Sequence, residues 1–144
     1  MRKRKVVVDA SVIAKWFLEE QYSDKALELR DDYVKGLFSI VAPSLLTYEV
    51  LNALKYSKVY SMGELEEIGK ALNKYGFDLY ELRGEYKLET IRIAMKMDIT
   101  IYDASYVALA RRFNTVLYTA DEELEEKFPR LVIHIRDYGK DCLC

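Results

Sequence analysis

Short, unbroken apolar runs alternate along the chain with longer stretches whose apolar residues recur every three or four positions. Runs of the first kind predict strands buried on both faces, and stretches of the second kind predict amphipathic helices. The pattern opens with a strand over Lys5–Val8, helices over Ser11–Glu20 and Ser23–Lys35, and a short strand over Phe38–Val41. A long helix then starts after Pro43 and runs to about Val59. Ser61, with Glu64 three residues on, has the form of a capping box and opens a helix to about Lys74. A strand over Phe77–Tyr80 leads to helices over Glu85–Met97 and Tyr102–Arg112. A strand over Val116–Tyr118, a short helix over Asp121–Lys127 and a strand over Leu131–Ile135 complete the order.

Strands alternating with helices place the chain in the α/β class, with a parallel sheet covered on both faces. In such sheets ligands bind beyond the carboxyl ends of the strands, where the strand order reverses. Residues just after strands are therefore where chemistry is to be sought. The 144 residues show no repeat, low-complexity tract or linker, which predicts one domain over residues 1–144, with 139–144 as a flexible tail.

Composition narrows this picture without redirecting it. Hydrophobic residues at 51% and charged residues at 32% exclude a disordered chain, and no apolar run is long enough to span a bilayer. The opening MRKRK is followed by an apolar run that Asp9 interrupts, a poor signal peptide, so a cytoplasmic location is expected. The net charge of -2 carries no global nucleic-acid footprint, so any such binding must use local patches. MRKRK is one candidate patch, and a solubilising lead-in to the strand is the alternative. Cys142 and Cys144, with the single His134, supply too few ligands for a structural zinc site. One Gln and three Asn in a chain rich in Lys, Glu and Tyr resemble the composition of a heat-adapted protein.

Familiar nucleotide sites are absent: there is neither a G-x-x-x-x-G-K-[ST] nor a G-x-G-x-x-G. His134 sits inside the apolar stretch VIHI and reads as a strand residue rather than a base. Carboxylates remain. Asp9 follows the first strand and, taken alone, serves equally as a helix N-cap. Glu49 lies about 40° from Ala53 and about 60° from Leu46 on its helix, with Leu45 and Tyr56 on its other side. A glutamate in such an apolar arc needs a cation, unless it stands at a ragged, solvated edge of the stripe. Asp103 shares a helical face with Val107 and Ala110, and a capping role is its alternative. Asp121 follows the fourth strand, where a cap or a first-turn acid is again possible. Taken together, the four can converge above the strand ends if the fourth strand lies beside the first. Four anions cannot share a dry site without cations. All-oxygen donors suit Mg²⁺ or Mn²⁺, ions that activate water for phosphoryl displacement.

VVVDASVIAKW, APSLLTYEVLNAL, IYDASYVALARR and LYTADEEL, in this order, resemble the PIN-domain ribonucleases, and in particular the VapC-type toxins of prokaryotic toxin–antitoxin pairs. The resemblance covers nearly the whole chain; each motif alone is loose, and the four in sequence are fairly specific. It implies a five-stranded parallel α/β/α sandwich, with Asp9, Glu49, Asp103 and Asp121 as a metal-holding, catalytic quartet for RNA. Ser11 and Thr119 match supporting polar positions, with an N-cap and a strand-end hydroxyl as their respective alternatives. Homodimers are implied as well, and the aromatic residues Trp16, Phe17, Tyr56 and Tyr60 are candidates for that interface, with simple core packing of these side chains as the alternative. A small antitoxin is expected to cover the groove along Leu46–Val50–Leu54 and to place a basic side chain near Asp9 and Asp121. Three rivals stand beside this reading. A phosphoaspartyl receiver would pair two acids after the first strand, and a haloacid-dehalogenase-type phosphatase would have Asp where Ser11 stands. A non-catalytic RNA- or protein-binding adaptor would use the carboxylates only as caps.

Overall fold

The computed structural model describes residues 3–140. Five strands, β1 (Arg4–Val8), β2 (Phe38–Pro43), β3 (Asp78–Tyr80), β4 (Leu117–Thr119) and β5 (Val132–His134), form one parallel sheet in the order β3-β2-β1-β4-β5. β1 lies at its centre. Val6, Val7 and Val8 are at most 2% exposed, which is why this strand is apolar on both faces. Helices α1 (Ala10–Ile13), α2 (Ser23–Val34), α3 (Leu46–Ser57) and α4 (Met62–Lys74) connect β1 to β2 and β2 to β3. Helices α5 (Gly84–Met97) and α6 (Ile101–Arg112) bring the chain back to β4, and α7 (Glu122–Lys127) leads to β5. Right-handed crossovers running in opposite directions from β1 cover opposite faces of the sheet. The three-layer sandwich with a five-stranded parallel sheet is therefore as expected. Strand order reverses between β1 and β4.

The deepest helix is α6, in which every residue from Ala104 to Ala110 is buried. Its alanines let it lie close between the sheet and α5. Tyr86 of α5 ties the two helices by donating its hydroxyl to the Ser105 carbonyl at 2.8 Å. The capping box at Ser61 forms as its spacing predicts: Glu64 N–H reaches Ser61 Oγ at 3.2 Å, and Ser61 N–H reaches Glu64 Oε1 at 2.9 Å.

Four expectations are corrected. The helix over Ser11–Glu20 is only one turn long and tightens into a 3-10 turn at Ala14–Trp16. That turn drives Trp16 inward against Tyr75 and Phe77, with ring centroids 5.0 and 5.9 Å away. Trp16 is thus core rather than interface, at 7% exposed. Phe17 and Tyr60 are partly buried against the same core, and the Tyr60 hydroxyl donates to the Phe17 carbonyl. Leu46, Val50 and Leu54 are also core, at 1%, 0% and 0% exposed, so they line no groove. Tyr56 is instead exposed, with Lys55 Nζ over its ring, and does not flank Glu49 in an apolar arc. Met1 and Arg2 of the basic lead-in lie outside the described residues, as do residues 141–144 of the tail, including Cys142 and Cys144.

Candidate active site at the carboxyl ends of the strands

β1 and β4 run side by side, with Val8 paired to Tyr118, so Asp9 and Thr119 are the next residues out on adjacent strands. Asp9 N–H bonds the Tyr118 carbonyl at 3.1 Å, which carries the sheet ladder up to the carboxylate itself. Both carboxylate oxygens are engaged. Oδ1 accepts from the Ser11 backbone N–H at 3.0 Å and the Ser11 hydroxyl at 2.5 Å, and Oδ2 accepts from the Thr119 hydroxyl at 2.5 Å. Ser11 Oγ also accepts from the Ala120 N–H at 2.9 Å, while Thr119 Oγ1 accepts from the Asp121 N–H at 3.1 Å. Ser11 and Thr119 therefore lace the two strand ends together around Asp9. Asp9 does cap α1, and it also holds the neighbouring strand.

The remaining carboxylates arrive from helices and a strand end. Glu49 lies at the half-buried edge of the buried stripe of α3. Its partner is Tyr106, whose hydroxyl donates to Glu49 Oε1 at 2.7 Å. Asp103 is half-buried in the first turn of α6, where Thr100 caps the helix by accepting from the Asp103 N–H at 3.0 Å. Asp121 is exposed and caps α7: its Oδ1 accepts from the N–H groups of Glu123 and Leu124 at 2.9 and 3.3 Å. Asp103 and Asp121 line an open cleft of about 400 Å³ with Thr100, Glu123 and Lys127. Lys127 lines the same cleft without an ion pair to these acids, its ammonium bonding the carbonyls of Met97 and Asp98 at 3.0 and 3.2 Å.

Three of the four acids are held above their ordinary protonation range. Burial raises Asp9 to about 6, the bonds from Ser11 and Thr119 oppose that rise, and the charges of Asp103 and Glu49 add to it. Burial likewise raises Glu49, opposed by the Tyr106 bond and reinforced by Asp103. Asp103 is raised by burial and then by the charge of Asp121. The Tyr106 hydroxyl is pushed strongly up, first by burial and then by the charges of Glu49 and Asp9, so it stays a donor. Each expected site residue is thus electrostatically linked to another, in the chain Glu49–Asp9–Asp103–Asp121. Among the described residues, no ion pair joins any of them to a Lys or Arg.

These residues fit a hard divalent cation. The donors are all oxygen, the charges lack an ion-pair partner, and burial makes those of Asp9, Glu49 and Asp103 costly until a cation arrives. Among the described residues, no group of three or more His, Cys, Asp or Glu side chains is placed to hold a metal ion together. Mg²⁺ does not demand one, since it keeps several waters and takes only one or two carboxylates directly. Tyr106 is the site residue that the sequence reading missed. Its signal was present: it lies three residues after Asp103, one helical turn further into the core. His134 is structural, as expected. Its Nδ1 accepts from the Arg136 N–H at 3.0 Å, so Nε2–H donates to the Ala120 carbonyl at 3.1 Å.

The order of strands, the reversal at β1 and β4, and the acids above them define an α/β protein of the PIN type. The chain belongs to the PIN domain family, which matches residues 6–128. It is similar to Ribonuclease VapC3 of Pyrobaculum aerophilum, with 35% identity over 138 residues, covering 89% of this chain and 98% of that protein. A crystal structure of a Pyrobaculum aerophilum protein has 25% identity and a TM-score of 0.59, over 94% of this chain and 93% of its own. A chain of a toxin–antitoxin complex from Klebsiella pneumoniae shares the fold, with a TM-score of 0.66 at 15% identity, over 90% of this chain and 97% of that one.

Proposed function

We propose that this chain is a metal-dependent ribonuclease that hydrolyses phosphodiester bonds in RNA and acts as the toxin of a type II toxin–antitoxin pair. The observation that carries this reading is the set of four linked carboxylates at the β1–β4 reversal, with no Lys or Arg paired to them among the described residues. The kinship with Ribonuclease VapC3 supports RNA as the substrate. Mg²⁺ or Mn²⁺ would be held by Asp9, Glu49, Asp103 and Asp121, and when bound supplies an activated water and charge neutralisation at the phosphate. Asp9 presents an orientation fixed by Ser11 and Thr119, so little reorganisation is required of it. Glu49 is kept from turning away by Tyr106. Asp121 spends Oδ1 on the N-terminus of α7, which leaves Oδ2 for the cleft. As Asp9, Glu49 and Asp103 sit above their usual range, loading of the ion releases protons, and activity rises with pH through this range.

The adaptor reading draws on Asp9 and Asp121, both of which cap helices. Glu49 and Asp103 cap nothing, which favours the nuclease. Incubation with a mixed RNA pool, with and without EDTA, followed by end-mapping of the products, tests the choice. Discrete products that vanish with EDTA are expected. No cleavage under saturating Mn²⁺, with Mn²⁺ bound no better than by surface acids, would make this an adaptor.

Further parts of the proposal concern partners and place. The toxin–antitoxin complex that shares the fold supports a protein antitoxin, and the charge of the acidic cleft suits a basic side chain as the group it would place there. A homodimer is supported by the exposed Tyr56, Val59 and Met62 at the junction of α3 and α4, at 66%, 64% and 80% exposed. Sedimentation showing only a 16.8 kDa species at micromolar concentration would exclude it. Among the described residues, no helix is long and apolar enough to cross a membrane, and the proposed location is the cytoplasm.

A further inference from the structure

Two of the candidate metal ligands are borne by helices, and each is immediately preceded by a tyrosine that the fold does not use. Tyr48 precedes Glu49 and is 79% exposed; Tyr102 precedes Asp103 and is 61% exposed. Both line a single open cleft of about 430 Å³, together with Leu45, Asn52 and Glu49 itself. No aromatic or cation contact holds either ring in place among the described residues, although eight other ring pairs are formed. The other walls are apolar except for the Asn52 amide and the Glu49 carboxylate. The lining contains no cation, so the cleft suits an uncharged flat group better than a phosphate.

We propose that this cleft is a nucleobase subsite, in which Tyr48 and Tyr102 stack against an unpaired base next to the scissile phosphate and Asn52 hydrogen-bonds its edge. The inference rests on RNA being the substrate. The cleft contains Glu49, so whatever fills it adjoins the carboxylates, and in an RNA strand a base adjoins every phosphate. A base can reach an aromatic side chain only when it is out of its helix, which makes the substrate a single strand, loop or bulge. Asn offers one acceptor and one amide donor group, the complement of a base edge. Stacking tolerates any base, so the tyrosines contribute affinity and the amide contributes the preference.

The test uses short fluorescent single-stranded RNA bound to the Asp9→Asn protein, read by anisotropy, with cleavage by the parent protein read in parallel. Tyr48→Ala combined with Tyr102→Ala should weaken binding about tenfold and raise KM with little change in kcat. The Phe pair should restore binding, since the ring rather than the hydroxyl is needed. The Leu pair should not, which separates stacking from plain apolar contact with a protein partner. An oligonucleotide with an abasic position beside the cleavage point should bind the parent and the Ala pair alike. Asn52→Ala should flatten the sequence preference among products. Equal binding by the Tyr, Leu and Ala pairs would overturn the subsite while leaving the ribonuclease reading intact. Absence of both RNA binding and cleavage in the parent would instead overturn that reading.

Discussion

Asp9 and Asp121 follow the two adjacent central strands, and each caps the helix that comes next. The protein nevertheless treats them in opposite ways. Asp9 is 8% exposed, has both oxygens bonded and is raised by burial. Asp121 is exposed, with one oxygen bonded to backbone N–H groups. The difference follows from chain direction after the strand: α1 folds back under α3 and the 3-10 turn, whereas α7 lies along the margin by β5. A preorganised anchor and an adaptable cap thus come from the same local motif. Glu49 and Asp103 stand between these extremes, half-buried and each carrying one neighbouring hydroxyl.

If Asp9 is the anchor, removing its charge must hurt most. Asp9→Asn should lower RNA cleavage by about 10³-fold, whereas Asp121→Asn, which keeps the cap, should lose only about tenfold. Equal losses in single-turnover rates would erase the distinction between the two. The same asymmetry has a stability signature in metal-free protein. The folded state raises Asp9 from 3.8 to about 6, so it binds the proton more tightly than the unfolded chain does. Stability from this group is therefore full below the unfolded value and is lost as pH rises through the folded one. With EDTA at pH about 7.5, Asp9→Asn should gain about 2 kcal/mol, read as a Tm rise of about 5 °C, with the gain gone near pH 4.

Tyr106→Phe sharpens the comparison from the side of Glu49. It deletes one hydrogen bond while keeping the buried ring, so Mn²⁺ affinity should fall about tenfold, measured by calorimetry. An unchanged affinity would mean that Glu49 needs no anchor. The smallest effect belongs to the cap itself: Asp121→Ala should cost about 1 kcal/mol in chemical denaturation and Asp121→Asn almost nothing. A cost well above that would give Asp121 a structural role that its exposure denies.

The order of elements, the Ser61–Glu64 capping box and the acids after β1 and β4 were legible in the sequence, because strand periodicity, capping and strand-end chemistry depend on residues within one turn of each other. So was the structural part played by His134. The helix over Ser11–Glu20 failed because periodicity cannot register that Trp16 has a cavity to fill between Tyr75 and Phe77, about sixty residues away along the chain. The groove assigned to Leu46, Val50 and Leu54 failed for a related reason. An apolar stripe identifies a face, but which face is core depends on the element packed against it, here α1, α4 and the 3-10 turn rather than a partner.

Sequence by itself therefore determined that this chain is an α/β sandwich with carboxylates at its strand ends. Only the tertiary structure decided that Asp9 is buried and Asp121 open, that Tyr106 rather than a cation meets Glu49, and that Tyr48 and Tyr102 share a cleft. Strand and helix formation are settled by neighbours along the chain. Burial, and with it the protonation of an acid or the availability of a ring, is settled by residues 57 to 110 positions apart that meet only once the sheet has closed.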